Sequence, residues 1–352
     1  MKPVFSLSIA ARAVLNLHSL NNEGGEGNQI QTRMVNVFAD GRLHSVNAIS
    51  GDMFKHIQSE HLHRLAVQAG LPLSIGARLF NANRINYDLD IDKGFLNQLK
   101  EAKSNAAELD LILQRCHANA AGSIRRENAA ELDLILQRCA VTDMAGALIT
   151  AENRSLPRKS VVEFGWVVGV PGSVKTDSYF HVKFESERGG GSAGVGGSGS
   201  ITGKQTPFHR PASSGVYAIV VQVEAARVGF NDISQRYAID AEQRQKRLRA
   251  LLESVLYTFI EPAGAMRTAQ NPHILDVSGV ISVSSNVLPA PCISPLKDDF
   301  VADVQRVANS LNELHPGAIE LFSFASLGEF AEQMSRLIRE AEPFTLPVVQ
   351  GE

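Results

Sequence analysis

VNAISGDMFKHIQSEHLHRLA, residues 46 to 66, is the stretch from which the rest of the chain can be read. It has the form of a turn feeding a helix. Ser50 and Asp52 are both helix N-cap types, and Gly51 between them loosens the entry. Met53, Phe54, Ile57, Leu62 and Leu65 then recur near the period of a half-buried helix. Lys55, His56, His61, His63 and Arg64 fall on the opposite face. A helix start with free backbone N–H groups, a serine hydroxyl and a nearby lysine can hold a phosphate; the plainer reading is a capped surface helix. His61 and His63 stand two apart on that helix, so they point to different faces and do not share a metal ion.

Upstream, residues 4 to 20 alternate and run apolar through Phe5, Leu7, Ile9, Ala13, Leu15 and Leu17, which predicts a central strand covered on both faces. NNEGGEGN, residues 21 to 28, reads as an exposed loop. Two short strands around Thr32–Phe38 and Leu43–Val46 flank Ala39-Asp40-Gly41, and Asp-Gly between β-rich runs signals a hairpin.

Downstream, residues 72 to 145 are rich in Ala, Leu and Glu apart from NANRINYDLD, and read as mainly helical. NAAELDLILQRC occurs at 105 to 116 and again at 128 to 139, a local duplication whose two amphipathic copies should pack as an antiparallel helical hairpin. PRKSVVEFGWVVGV, residues 157 to 170, reads as a second core strand behind a basic Arg154–Arg158–Lys159 cluster. Tyr179, His181 and Lys183 alternate with Phe180, Val182 and Phe184, and a return strand lies near Pro207 to Val220, so this arm reads as a long hairpin. Its tip, 189 to 203, holds eight glycines, which also suits an interdomain linker. Lys175, Lys183, Arg188, Lys204, His209 and Arg210 make the arm basic, with Tyr179, Phe180 and Phe208 interleaved. VYAIVVQVEAARVGF (216 to 230) and ILDVSGVISVSSNV (274 to 287) are further strands. Helices follow at about 241 to 259, 298 to 314 and 326 to 341. The first has Arg244, Lys246, Arg247 and Arg249 as a solvated basic face. The tail FTLPVVQGE reads as loosely ordered.

These parts, in this order, resemble the backbone subunit of CRISPR Cascade complexes, in the DevR-type branch of the RAMP superfamily. The residues that carry the resemblance are the first strand Ser8 to Leu17, the Asn- and Gly-rich loop, and the I-S-G-x-x-x-K-H helix start at Ile49 to His56. CAVTDMAGALI (139 to 149), VVEFGWVVGVP (161 to 171), SGVYAIVVQVEAARVGFND (214 to 232) and PAGAMRTAQNPHI (262 to 274) extend it over most of the chain. The resemblance implies an α+β fold, a modified ferredoxin-like, RRM-like palm with an antiparallel sheet. It implies a palm from 1 to 71, helical fingers from 72 to 145, a palm strand from 146 to 174, a β-hairpin thumb from 175 to 213 and the rest of the palm from 214 to 352.

It further implies a protein that binds CRISPR RNA, stacks head-to-tail with copies of itself beside other Cascade subunits, and supports target pairing by the guide. Together with the phosphate logic above, it nominates Asn21, Asn22, Arg33, Arg42, Ser50, Lys55, Lys175, Lys204, His209, Arg210 and Arg267 as RNA contacts. No cofactor is implied.

Composition bounds the alternatives. The 352 residues are 44% hydrophobic and 20% charged, as in a globular protein, with no apolar run of membrane-span length and no signal pattern. Cys116, Cys139 and Cys292 are too dispersed for a disulfide framework or zinc site, which suits a reducing cytoplasm. A formal charge of −3 means that any RNA-binding stripe must be local. There is no phosphate loop, nucleophile elbow, paired CxxC or HExxH, so a non-catalytic role is expected. Two rivals stand beside it. One is a RAMP-type endoribonuclease that either processes the guide or cuts target RNA, the latter with Glu23 or Glu26 holding a metal against a scissile phosphate. The other is a scaffold that binds no nucleic acid.

Overall fold

The computed structural model describes residues 2–26, 29–114, 120–150, 155–184, 205–264, 268 and 270–347. Lys204, Arg267 and the glycine-rich tip lie outside these. From the N-terminus run β1 (Lys2–Val4), β2 (Ser6–His18), β3 (Asn22–Glu26), β4 (Gln29–Thr32), β5 (Met34–Ala39), β6 (Arg42–Ile49) and α1 (Gly51–Gln68). A helical segment follows: α2 (Ile75–Arg78), α3 (Ile85–Ile91), α4 (Lys93–Gln114), α5 (Ala120–Arg138) and α6 (Ala140–Ala145). Next are β7 (Ala147–Ile149), β8 (Leu156–Arg158), β9 (Val162–Phe164), β10 (Val167–Phe184) and β11 (Gln205–Val223). The chain continues through β12 (Phe230–Asn231), β13 (Arg236–Tyr237), α7 (Ala241–Ile260), β14 (His273–Ser284), α8 (Phe300–Leu314), β15 (Ile319–Phe324), α9 (Leu327–Glu340) and β16 (Ala341–Pro343).

The main sheet runs β15-β14-β2-β11-β10-β6-β5, and every neighbouring pair on this path is antiparallel. Its centre, β14-β2-β11-β10, with α1 after β2 and α7 after β11, has the strand order of a split βαβ ferredoxin-like unit. Fold class and central strand are thus as the sequence implies. Leu7, Ile9, Ala13 and Leu15 of β2 share the main core with Ile57 of α1, Val255 of α7 and Phe330 of α9. Ala10 packs with Val280, Phe300 and Val304 in a second cluster. Also on this second side, Ser8 Oγ donates to Ala290 O at 2.9 Å and Arg12 Nε to Pro295 O at 2.8 Å. Both faces of β2 are covered, which is why it reads apolar on both.

The insertion between α1 and β7 is helical. Arg138 lies over the Phe95 ring at 4.0 Å and Lys103 meets Glu127 at 3.5 Å, so α4 and α5 run antiparallel. The second copy of the duplicated segment supplies the core: Leu132, Ile135, Leu136 and Cys139 are buried. The β5–β6 turn has Asp40 and Gly41 at φ 52° and 75°, with Ala39 opposite Arg42, a two-residue hairpin loop. β10 and β11 pair as far as Phe184 opposite Gln205, which gives the long hairpin.

Five expectations change. Residues 46 to 49 belong to β6 rather than to a turn. The first loop contains a strand, β3, which pairs with β4. The 157–170 strand is broken into the end of β8, β9 and the start of β10, because β8 pairs with β7 while β9 and β10 pair with β11. β11 ends at Val223, and Ala225–Arg227 is a short 3₁₀ turn. The tail is fixed as far as residue 347: Phe344 packs edge-on against Phe5, and Tyr237 Oη accepts from Leu346 N at 2.9 Å.

Candidate nucleic-acid interface

Ser50 caps α1 as expected. Its backbone is extended, and its Oγ accepts the Met53 N–H at 3.2 Å. Its own N–H donates to Asn21 Oδ1 at 3.0 Å, so Asn21 ties the end of β2 to the helix start. Asn21 is buried, and its amide oxygen builds the site from within. Gly51 is required by close approach: a Cβ there would fall 2.6 Å from Phe164 O.

Ser50, Gly51, Asp52, Lys55, Glu163, Phe164 and Trp166 line one cleft. Lys55 Nζ makes no hydrogen bond or ion pair among the described residues. Burial, and then the neighbouring Arg84 charge, lower its pKa from the usual lysine value. Arg33 lies over the Trp166 ring at 5.2 Å, and its backbone oxygen accepts from Ala48 N at 3.0 Å, which fixes it beside β6. Asp52 and Glu163 temper the positive field of the cleft. Arg42 stands apart. It sits at the hairpin turn beside His44, about 26 Å along β6 from Ser50 at the usual strand rise.

On the long hairpin, opposed residues share a face. Lys175 lies opposite Ser214, Tyr179 opposite Arg210 and His181 opposite Phe208. The Arg210 guanidinium stands 4.7 Å over Phe208, and His181 stacks on the same ring at 5.5 Å. Lys175 is largely exposed and pairs with Asp177 at 3.0 Å, a hydrogen bond that raises its pKa. His209 is on the other face, edge-on to Phe180. The hairpin therefore carries Lys175 and Arg210 together and His209 apart. Asn22 lies on β3, where its side chain, like those of Glu23 and Glu26, is outside the described set.

Three sequence expectations about charge fail. His61, placed on the polar face of α1, is buried, with Nε2 3.1 Å from Glu261 O; His63 points elsewhere as its spacing implies, its Nε2 3.1 Å from Arg78 O. Arg244 and Arg247 are buried rather than solvated. Arg158 is buried too: its Nη2 donates to Asp143 Oδ1 at 2.7 Å, and Arg247 Nη1 donates to Asp143 Oδ2 at 2.8 Å. The signal for this cluster was Asp143 itself, a lone acid in the apolar run CAVTDMAGALI, which needs a buried counter-charge. Trp166, the single tryptophan and partly exposed, was also overlooked. Among the described residues no group of three or more His, Cys, Asp or Glu is arranged to hold a metal ion, and no helix is long and apolar enough to cross a membrane.

Residues 9–305 match the sequence model of a family described as CRISPR-associated negative auto-regulator DevR/Csa2. Comparison with curated protein sequences finds no match. Among solved structures, the chain is similar to a CRISPR RNA-guided surveillance complex in a pre-nicking state, at 12% identity and TM-score 0.49, over 95% of this chain and 99% of that one. A second, a CRISPR RNA-guided surveillance complex, aligns at 11% identity and TM-score 0.45, over 95% and 98%.

Proposed function

The chain belongs to the DevR/Csa2 family of CRISPR-associated proteins, and from that premise we propose that it is a guide-RNA-binding backbone subunit of a Cascade-type surveillance complex. The observation that carries this reading is the cleft at the start of α1. Lys55, unpartnered among the described residues, a capped helix N-terminus and Arg33 over an exposed tryptophan meet there. Such a site suits ribose-phosphate backbone and stacked bases, because a lysine supplies charge without geometry and an aromatic ring accepts any base. The Lys175–Arg210 face of the hairpin supplies a second strip of the same chemistry. In this reading residues 1–71, 146–174 and 214–352 form a palm, 72–145 its fingers and 175–213 a thumb that closes on RNA. Copies stack head-to-tail, a heterologous contact that makes a filament rather than a ring, and the guide's bases read the target. Cutting is left to other subunits.

The test is extraction of nucleic acid from the purified protein and its digestion with ribonuclease and deoxyribonuclease. RNA of discrete length supports the reading; protein free of nucleic acid that also fails to bind added RNA ends it. Incubation of the loaded assembly with complementary RNA and DNA, in magnesium or manganese, tests the absence of catalysis. Regularly spaced products that vanish in Glu23→Ala or Glu26→Ala would assign the cutting to this chain.

A further inference from the structure

Two neighbouring residues at the end of β2 occupy each other's expected places. Strand alternation puts Leu15 in the core and should return Leu17 to it, with His18 turned to solvent. Instead Leu17 is 46% exposed and His18 only 2%. Leu17 adopts a left-handed backbone, φ 53°, which is strained for any residue with a Cβ. His18 lies edge-on against Tyr217 at 4.9 Å, with neither ring nitrogen hydrogen-bonded among the described residues. Exposing the aliphatic side chain and burying the unpartnered imidazole are each unfavourable, and the backbone is strained to do both.

A bulge in β2 permits this. The register slips between Ser213, opposite His18, and Gly215, opposite Leu15, so Asn16 and Leu17 of β2 stand against the single residue Ser214. Ser214, in the slip, accepts the Leu17 N–H on its Oγ at 2.9 Å. Gly215 has φ 148°, and a Cβ there would fall 2.1 Å from Ser173 O, so only glycine fits. The bulge thus holds Leu17 outward on a rigid backbone. Ser214 lies opposite Lys175, on the face that continues to Tyr179 and Arg210. Leu17 stands two strands from Lys175, about 10 Å at ordinary sheet spacing. It forms the apolar foot of a face that carries the Lys175–Asp177 pair and then Tyr179 and Arg210.

We propose that Leu17 is a wedge that takes the flat face of a nucleobase of single-stranded RNA at the foot of the hairpin, an inference that rests on the RNA-binding reading above. The ligand is apolar on the base and anionic along its backbone. The surface is apolar at Leu17 and carries Lys175, paired with Asp177, and Arg210 along the neighbouring strands. The strained, hydrogen-bonded backbone sets the position of Leu17 before RNA arrives, so no loop entropy is lost at that point on binding.

The experiment uses the full chain as Leu17→Gly, which accepts the left-handed backbone, and Leu17→Met, which keeps an apolar side chain of similar size. The probe is oligouridine carrying one 2-aminopurine, titrated at several salt concentrations, with thermal unfolding measured alongside. Leu17→Gly is expected to keep or raise the melting temperature and to bind roughly five- to tenfold more weakly. The salt slope should be unchanged, because no charge is lost, and the 2-aminopurine fluorescence of the complex should differ from wild type. Leu17→Met is expected to bind as wild type. Wild-type affinity and fluorescence in Leu17→Gly would overturn the wedge and leave RNA binding intact, as would a lowered melting temperature that marks Leu17 as packing. Failure of the wild-type protein itself to bind oligouridine would remove the RNA-binding reading and the wedge with it.

Discussion

Arg158 and Arg247 form one group of cations, and Lys55, Arg33 and Lys175 form another; in the sequence the two groups look alike. Their surroundings differ. Asp143 takes Arg158 and Arg247 on its two oxygens and also accepts the Gly229 N–H at 2.9 Å, all three charged side chains being inaccessible. Arg158 further donates to Phe230 O, Arg227 O and Asp232. Around the α1 cleft, Lys55 keeps its donors free among the described residues, and on the hairpin Lys175 is largely exposed. A cation whose bonds are made inside the protein holds elements together. One that keeps its donors at the surface is available to a phosphate. The buried cluster joins α6, α7, β8 and the loop around Gly229, so it fastens the helical insertion to the sheet.

The comparison breaks most visibly at Asp143. Asp143→Ala leaves two buried guanidinium groups uncompensated and should cost about 3–5 kcal/mol in urea unfolding. A loss below 1 kcal/mol would show that water reaches the cluster. His18 gives the next effect. Burial lowers its pKa to about 4, against about 6.5 in an unfolded chain. The neutral form is favoured by folding, so this contribution is fully present above pH 6.5 and is lost as pH falls towards 4. It amounts to about 3 kcal/mol, and His18→Leu should flatten that part of the stability-against-pH curve. At Lys55 stability and binding separate. Lys55→Glu should change stability by less than about 0.5 kcal/mol and make the salt dependence of RNA affinity shallower by about one phosphate contact. A large stability loss there would move Lys55 into the structural group. Arg42→Ala sharpens the contrast from the small end: remote from the cleft, it should leave melting temperature and RNA affinity of the isolated protein unchanged.

Local chemistry was legible in the sequence; distant pairing was not. Ser50 as a cap, Asp40-Gly41 as a turn and the alternation on either side of the hairpin tip are set by neighbours a few residues away. The ferredoxin-like strand order followed from resemblance, because nothing local states that β2 lies between β11 and β14. The arginines of α7 were misjudged because a helical face gives no sign of its partner: Asp143 is 104 residues from Arg247. β15 was missed as a six-residue strand between two stronger helical patterns. At Leu17 and His18 the period-two reading failed because the bulge that inverts them is set by pairing with Ser214, 197 residues from Leu17. At the cleft, Ser50 and Lys55 are legible as a capped, lysine-bearing helix start, and Arg33 through the resemblance. Trp166 is not, since a tryptophan inside an apolar run reads as core.

The position of β2 also sets a timetable. Its two neighbours, β11 and β14, begin at Gln205 and His273, so the second segment in the chain waits for some of the last. At ordinary translation speeds the gap between completing β2 and completing β14 is roughly 15 to 50 s. Through that interval the α4–α5 hairpin and the β5–β6 hairpin, built from local contacts, can fold, while β2 has no neighbour until β11 is made and only that one until β14 is complete. Nascent chains arrested before Gln205 should therefore aggregate through β2, and slow synthesis of the C-terminal third should lower the yield of folded protein without changing the stability of what folds.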